Sequence, residues 1–102
     1  MKQIDLNCDA GEGIDIEKAI IPLVSSISIA CGGHTGNDES MRKTIQLAKK
    51  VGVAIGAHPS YPDRENFGRV KMNIDEETLK KSIKILNLLI FNSINFIYFN
   101  SF

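Results

Sequence analysis

The stretch Ser28-Ile29-Ala30-Cys31-Gly32-Gly33-His34 is an apolar, strand-like run that ends in small residues and a histidine. The same pattern returns in Val53-Ala54-Ile55-Gly56-Ala57-His58-Pro59, with its histidine 24 positions later. A loop, a helix pattern and a second strand pattern lie between the histidines, which is the content of a right-handed βαβ crossover. The sequence therefore predicts an α/β fold whose parallel strands place both histidines at their carboxyl ends, the edge that carries the chemistry in such folds.

A third strand-like run, Ile4-Asp5-Leu6-Asn7-Cys8-Asp9, ends in an acid and is followed by Gly11-Glu12-Gly13. If this run forms a third parallel strand, Asp9 reaches the same edge of the sheet as the two histidines. One carboxylate and two imidazoles suit a divalent metal with an open position for water or substrate. We therefore predict metal ligation by Asp9, His34 and His58, and we expect Glu12 to act as a general acid or base.

Each candidate residue also has a structural interpretation. Asp9 could cap backbone amides in a loop, either histidine could be buried and hydrogen-bonded, and Glu12 could be a solvated loop charge. Cys8 and Cys31 are expected to be small packing residues rather than metal ligands. The functional interpretation requires that the side chains of the candidate residues converge in space.

Strand and helix patterns alternate along the chain. The second helix is the best signalled, because a capping side chain precedes an apolar stripe and a glycine follows it. The third helix has a capping aspartate and two acids in its first turn. The predicted elements are a strand over 3–8, a helix from Asp15 to about Val24, a strand over Ile27–Cys31, a helix from Asn37 or Asp38 that ends before Gly52, a strand over Val53–Ala57, a polar loop over Pro59–Asn73 and a helix from Asp75.

The last segment, Ile85 to Phe102, differs in composition from the rest of the chain. It contains no charged residue, no glycine and no proline. One interpretation is a buried helix end followed by a strand, and another is low-complexity sequence from a damaged reading frame. Four asparagines and a length of 18 residues argue against a membrane span, which needs about 20 mostly apolar residues.

Length and charge limit the classes of function. The chain has 102 residues, whereas a closed eight-stranded α/β barrel takes roughly 250; either the fold is small or the chain is a piece of a longer one. Twelve basic and twelve acidic side chains cancel without forming blocks, so neither nucleic acid nor a membrane is expected as a partner. The absence of a signal-peptide pattern and the presence of only two cysteines predict a cytoplasmic location.

Three blocks of the sequence together resemble the opening signatures of the LamB/YcsF family, the A subunit of bacterial 5-oxoprolinase. The resemblance runs from Lys2 to about Leu89. It implies the N-terminal part of a seven-stranded β/α barrel of the glycoside hydrolase/deacetylase type, with helices outside and the barrel incomplete. The blocks are Asp5 to Gly13, Ile29 to Gly36, and Gly56 to Arg64 with Phe67-Gly68-Arg69.

The resemblance implies ATP-dependent opening of the 5-oxoproline lactam to L-glutamate, together with B and C subunits. In that reaction Glu12 or Asp63 would move protons. Arg64 or Arg69 would hold the substrate carboxylate bidentately, although an ion pair with Asp63 or Glu65 is an equal alternative. Two other functions stay open: a metal-dependent, deacetylase-like hydrolase acting on a carbohydrate or N-acyl substrate, and an inactive gene remnant or interaction fragment.

The chain departs from the family pattern in several places. Asn37 stands where members usually have Asp, and Val70 stands where they usually have a second Arg. Members are also longer, and the Lys-Pro-His-Gly block that normally follows the helix after Asp75 is absent. We therefore expect one partial barrel domain over residues 1–102, family-like to about residue 89 and divergent over 85–102, without activity by itself.

Overall fold

The structure, a computed structural model, describes residues 3–13 and 17–99. Strands and helices alternate along the described chain, and a short 3₁₀ turn follows the first helix. This alternation confirms the predicted α/β class. The elements are β1 (Asn7–Ala10), α1 (Glu17–Ile20), the 3₁₀ turn (Ile21–Leu23), β2 (Ser26–Ala30), α2 (Asp38–Val51), β3 (Ala54–His58) and α3 (Glu76–Phe99).

The three strands form one parallel sheet in the order β1-β2-β3. The register pairs Asp9 with Ser28, Ser28 with Gly56, and Ala30 with His58. Since successive side chains point to opposite faces of a strand, these five residues lie on one face of the sheet. That face is polar or small, and its carboxyl end holds His58.

The opposite face of the sheet packs against helices and forms the core. Ile27 and Ile29 of β2 are fully buried there, beside Met41 and Ile45 of α2. An all-parallel sheet needs helices on its faces because crossover connections place them there. The described part is therefore an open piece of a parallel β/α barrel, with helices on the outer face of the sheet.

Helix α2 begins and ends as its sequence predicts. The Asn37 side chain accepts a hydrogen bond from the Ser40 backbone N–H at 2.9 Å, and the Ser40 hydroxyl lies 2.8 Å from the Asn37 N–H. These two bonds satisfy donors that the first helical turn leaves free. Gly52 ends the helix in the left-handed conformation, with φ of 85°. Such a residue closes the helix without the steric penalty of a Cβ.

The structure moves the first predicted strand and divides the first predicted helix. The strand begins at Asn7 rather than residue 3, because its partner β2 begins at Ser26, opposite Asn7. Asp15 lies outside the described residues. The remainder of the predicted helix divides into α1 and a 3₁₀ turn, since Pro22 lacks an N–H to continue the helical ladder.

The interpretation of the tail as a helix end plus a strand is wrong within the described residues. Helix α3 continues without a break to Phe99. Leu86, Ile90 and Ser93 are buried along one side of it, and no glycine or proline interrupts the propagation of the helix. Ile85, Leu88 and Phe91 remain exposed on its other sides.

Among the described residues, no helix combines the length and the apolar character that a bilayer crossing requires.

Candidate active site

Four titratable side chains gather at the carboxyl edge of the sheet. Asp9 lies near the end of β1 and Glu12 in the loop that follows, while His34 follows β2 and His58 ends β3. One ligand atom each from Glu12, His34 and His58 can be chosen so that all lie within 4.8 Å of one another. The parallel crossover thus brings together residues that are far apart in sequence, as the matching strand ends predict.

His34 is the most enclosed member of this group. Its side chain is 3 % exposed, and its Nε2 lies 3.4 Å from Oε1 of Glu12. On the other side of the ring, Nδ1 lies 2.8 Å from the Ser60 hydroxyl. The Phe67 ring packs against the imidazole at an interplanar angle of 81°, with ring centroids 4.7 Å apart. The position of the His34 ring is therefore fixed from three directions.

His58 is held less completely. Its ring centroid lies 4.7 Å from that of His34. Its Nδ1 is buried but has no hydrogen-bond partner, although Asp9 Oδ1 lies 3.5 Å away and Glu12 Oε1 4.0 Å away. These two contacts are close enough for charge attraction but do not satisfy the nitrogen as hydrogen bonds would. A buried polar atom without a partner requires an explanation.

Glu12 approaches both histidines, whereas Asp9 lies nearer to His58 alone. The Glu12 side chain is 14 % exposed, whereas that of Asp9 is 54 % exposed and approaches only His58. The loop of Glu12 is held by its own backbone N–H, which donates to Glu17 Oε1 at 3.2 Å. The sequence signal for Glu12 was its position between two glycines after a strand, a setting that lets the chain turn back toward the sheet.

Arg64 joins two loops of the site. Its Nη1 donates to the carbonyl oxygens of Gly32 at 2.9 Å and Gly36 at 2.7 Å. Gly36 has φ of 85°, and a Cβ there would lie 3.0 Å from the carbonyl oxygen of Gly11, so this close approach of two loops requires glycine. Within the described residues no ion pair joins Arg64 to Asp63 or Glu65. Arg64 therefore has an observed bracing role, and its predicted contact with substrate stays a prediction.

Asp63 and Arg69 lie in the loop after β3. Asp63 accepts a hydrogen bond from the Asn66 backbone N–H at 3.2 Å and thus closes a turn. The Arg69 guanidinium lies over the Phe67 ring, 5.3 Å from its centroid, a favourable cation–π distance. Proton transfer by Asp63 and carboxylate binding by Arg69 likewise stay predictions.

Sequence reasoning did not identify Ser60 and Phe67 as members of the site. Ser60 gives no signal beyond its position two residues after His58. Phe67 has φ of 58°, the only described non-glycine residue with a positive φ. A bulky residue in that region is uncommon and costs conformational energy, and no sequence pattern announces it.

The two cysteines behave as packing residues. Cys31 is fully buried and its thiol lies 3.2 Å from the Ile29 carbonyl oxygen. Burial raises the pKa of the Cys31 thiol, and a hydrogen bond with the His58 backbone partly opposes that shift. Burial, followed by the charges of Asp9 and Glu17, raises the pKa of Cys8. Both groups are therefore kept as thiols, the form that binds metal poorly.

The protein is therefore of the parallel β/α barrel class. Its barrel is incomplete and carries two histidines and a carboxylate at the carboxyl edge of the sheet. Residues 4–87 match the model of the LamB/YcsF family. The chain belongs to the LamB/YcsF family.

A solved relative supports the same assignment. The chain is similar to the lactam utilization protein from Thermus thermophilus, with 37 % sequence identity and a TM-score of 0.76. The similarity covers 89 % of this chain and 40 % of that protein. The chain thus spans less than half the length of this relative, and the fold class predicted from sequence is confirmed.

Proposed function

We propose that this chain contributes the first part of the hydrolytic centre of a lactam-opening enzyme, whose reaction is the ATP-dependent conversion of 5-oxoproline to L-glutamate. Membership of the LamB/YcsF family and similarity to a lactam utilization protein support the substrate class. The observation that carries the proposal is the convergence of Glu12, His34 and His58 at the carboxyl edge of the sheet. That edge is where β/α barrels place their active sites.

The donor set of the site fits a divalent cation. Two imidazole nitrogens and one carboxylate oxygen are common ligands of catalytic zinc, with a further position open to water or substrate. The buried Nδ1 of His58 has no hydrogen-bond partner, and a cation held by Glu12, His34 and His58 would satisfy it. When bound, such a cation supplies Lewis-acid polarisation of a carbonyl oxygen and lowers the pKa of water.

The remaining side chains have separate roles in this proposal. Asp9 lies beside His58 and is half exposed, so we assign its carboxylate the role of accepting a proton from attacking water, which the sequence had suggested for Glu12 or Asp63. Arg69 is the better candidate to bind the substrate carboxylate, because Arg64 already donates to two backbone carbonyls. Hydrolysis of a five-membered lactam is unfavourable without a driving reaction, which accounts for ATP as a second substrate.

The proposed partners are the B and C subunits of 5-oxoprolinase and the strands that complete the barrel. The described sheet has three strands, with β1 and β3 at its two edges. In a closed barrel both edges pair with further strands. The centre proposed here would then be completed by residues from outside this chain's described sheet.

Glutamate release from 5-oxoproline and ATP tests this function. The chain is combined with the B and C subunits, with and without a second polypeptide that carries the remaining barrel strands of a LamB/YcsF protein. We expect glutamate only when all components are present, and we expect its loss in His34→Ala and His58→Ala. Lys43→Ala is the matched control, because that side chain is 75 % exposed and pairs with Glu39 on the surface of α2.

Two results would contradict the proposal. Undiminished glutamate release by the His34→Ala chain would remove the site from the reaction. Release by the chain with only the B and C subunits would show that no further strands are needed.

A further inference from the structure

The hydroxyl of Ser60 makes two short contacts, one with the His34 ring and one with a backbone carbonyl. Ser60 Oγ is 2.8 Å from His34 Nδ1 and 3.0 Å from the Tyr61 carbonyl oxygen. A serine hydroxyl has one hydrogen and two acceptor lone pairs. The Tyr61 carbonyl can only accept. When the serine hydrogen is donated there, the hydrogen between Ser60 and His34 comes from the imidazole.

We propose that Ser60 is a positioning residue that holds His34 in the Nδ1–H tautomer and thereby directs the Nε2 lone pair at the site. With Nδ1 carrying the hydrogen, a neutral His34 has a free lone pair on Nε2, 3.4 Å from Glu12 Oε1. The 3.4 Å separation exceeds that of a good N–H···O bond, so the 2.8 Å contact with Ser60 decides the tautomer in the metal-free chain. Ser60 thus keeps the Nε2 atom available to bind a cation, as partners of metal-binding histidines generally do.

Two glycines leave the space that the Ser60 hydroxyl occupies beside His34. A Cβ on Gly33 would lie 2.8 Å from Ser60 Oγ, and a Cβ on Gly68 would lie 3.5 Å from it. The absence of a side chain at both positions gives Ser60 room beside His34. Phe67, held with positive φ, closes the other side of the ring. Unusual backbone conformations persist where the surroundings fix them, and they are concentrated at functional sites.

The inference rests on the proposed function only where it assigns the Nε2 lone pair to cation binding, and its test needs no measurement of enzyme activity. The metal-free chain, labelled with ¹⁵N in its histidines, is studied by NMR at mildly alkaline pH, where a free imidazole is neutral. Ring nitrogen shifts report which nitrogen carries the hydrogen. We expect the Nδ1–H form for His34 in the unsubstituted chain, and His34→Gln identifies its signals.

Ser60→Ala then removes the acceptor. We expect the hydrogen to move to Nε2, where Glu12 can accept it, and we expect Zn²⁺ affinity measured by calorimetry to fall about 10–100-fold. Ser28→Ala is the matched control, because its hydroxyl donates to Asn7 Oδ1 at 3.1 Å and, among the described residues, forms no hydrogen bond with either histidine. That variant should keep both the tautomer and the Zn²⁺ affinity.

Two outcomes would overturn the inference. An Nε2–H tautomer in the unsubstituted chain does so without any variant, so the test survives a Ser60→Ala chain that fails to fold. Retention of Nδ1–H together with unchanged Zn²⁺ affinity in Ser60→Ala also does so. A confirmed tautomer combined with no lactam hydrolysis would contradict only the proposed function.

Discussion

The loop after β2 and the end of β3 have similar sequences and place a histidine at the same edge, yet they constrain it differently. The His34 side chain is 3 % exposed and both of its nitrogens have neighbours within 3.4 Å. The His58 side chain is 33 % exposed and its Nδ1 has no hydrogen bond. The pattern in the sequence therefore determines where a histidine lies but not how firmly it is held.

The difference arises from what surrounds each segment. The loop of His34 follows the central strand and is covered by the loop after β3, to which Arg64 ties it through two carbonyl oxygens. His58 ends an edge strand that has a neighbour on one side only. A central position supplies packing from both sides, whereas an edge position leaves part of the backbone and side chain open.

The largest effect is expected from the carboxylate that both histidines approach. Glu12→Gln removes a charged ligand next to both imidazoles, and we expect Zn²⁺ affinity to fall by more than about 100-fold, or about 2.8 kcal/mol. Asp9→Asn changes a carboxylate that approaches only His58 and is half exposed. Its effect should be no more than about 10-fold, the lower range for an outer partner. Calorimetric titration with Zn²⁺ measures both.

The ranking of these two variants decides which carboxylate is the ligand. A greater loss in Asp9→Asn than in Glu12→Gln would restore the ligand set expected from sequence, Asp9, His34 and His58. Glu39→Gln serves as the control, since this side chain is 78 % exposed and pairs with Lys43 on the surface of α2.

A glycine in each segment provides the next test of the comparison. In Gly33→Ala the new Cβ would lie 2.9 Å from Leu86 Cδ1 and 3.1 Å from the Ser60 carbonyl oxygen. Overpacking of this kind costs about 1–3 kcal/mol. In Gly56→Ala the nearest atom is the Ile27 carbonyl oxygen at 3.7 Å, an ordinary contact. Alanine also lowers the conformational entropy of the unfolded chain, so the free energy of unfolding should be unchanged or higher by about 0.4–1 kcal/mol.

Urea unfolding of both glycine variants measures this difference. Equal destabilisation by the two substitutions would show that the end of β3 is packed as firmly as the loop after β2. The contrast between the two segments would then have to come from hydrogen bonding alone.

The elements that sequence predicted well are those with local signals. The cap at Asn37 and the glycine at position 52 predicted the two ends of α2 from contacts between neighbouring residues. The matching apolar runs predicted the positions of β2 and β3. The convergence of the two histidines followed from the handedness of the crossover. Each of these inferences needs only neighbouring residues or one topological rule.

The elements that sequence missed depend on contacts between distant residues. The approach of Glu12 to both histidines depends on how the loop after β1 folds back, which Glu17 helps to fix. The continuation of α3 depends on burial of Leu86 and Ile90 against the rest of the domain, and the strand interpretation considered composition alone. The roles of Ser60 and Phe67 exist only once the loop after β3 covers His34.

The smallest effect is expected at the start of α3, far from both histidines. A variant there separates the acid sensitivity of the fold from that of the site. Asp75 accepts hydrogen bonds from the Thr78 backbone N–H at 2.7 Å and from the Thr78 hydroxyl at 3.0 Å. These bonds, of which the backbone bond has the larger effect, lower the pKa of Asp75 below its ordinary value of 3.8.

A carboxyl whose folded pKa is depressed contributes stability above its unfolded pKa and loses it as pH falls through the folded pKa. Asp75→Asn keeps a hydrogen-bond acceptor for the helix cap but removes the charge. When the pH falls from neutral to below 3.8, the urea midpoint of this variant should therefore decrease less than that of the unsubstituted chain. Because the side chain is fully exposed, the effect is small and should weaken in salt. Identical pH profiles for the two chains would assign the acid sensitivity of the fold to other carboxylates, with Asp9 and Glu12 of the site the first to substitute.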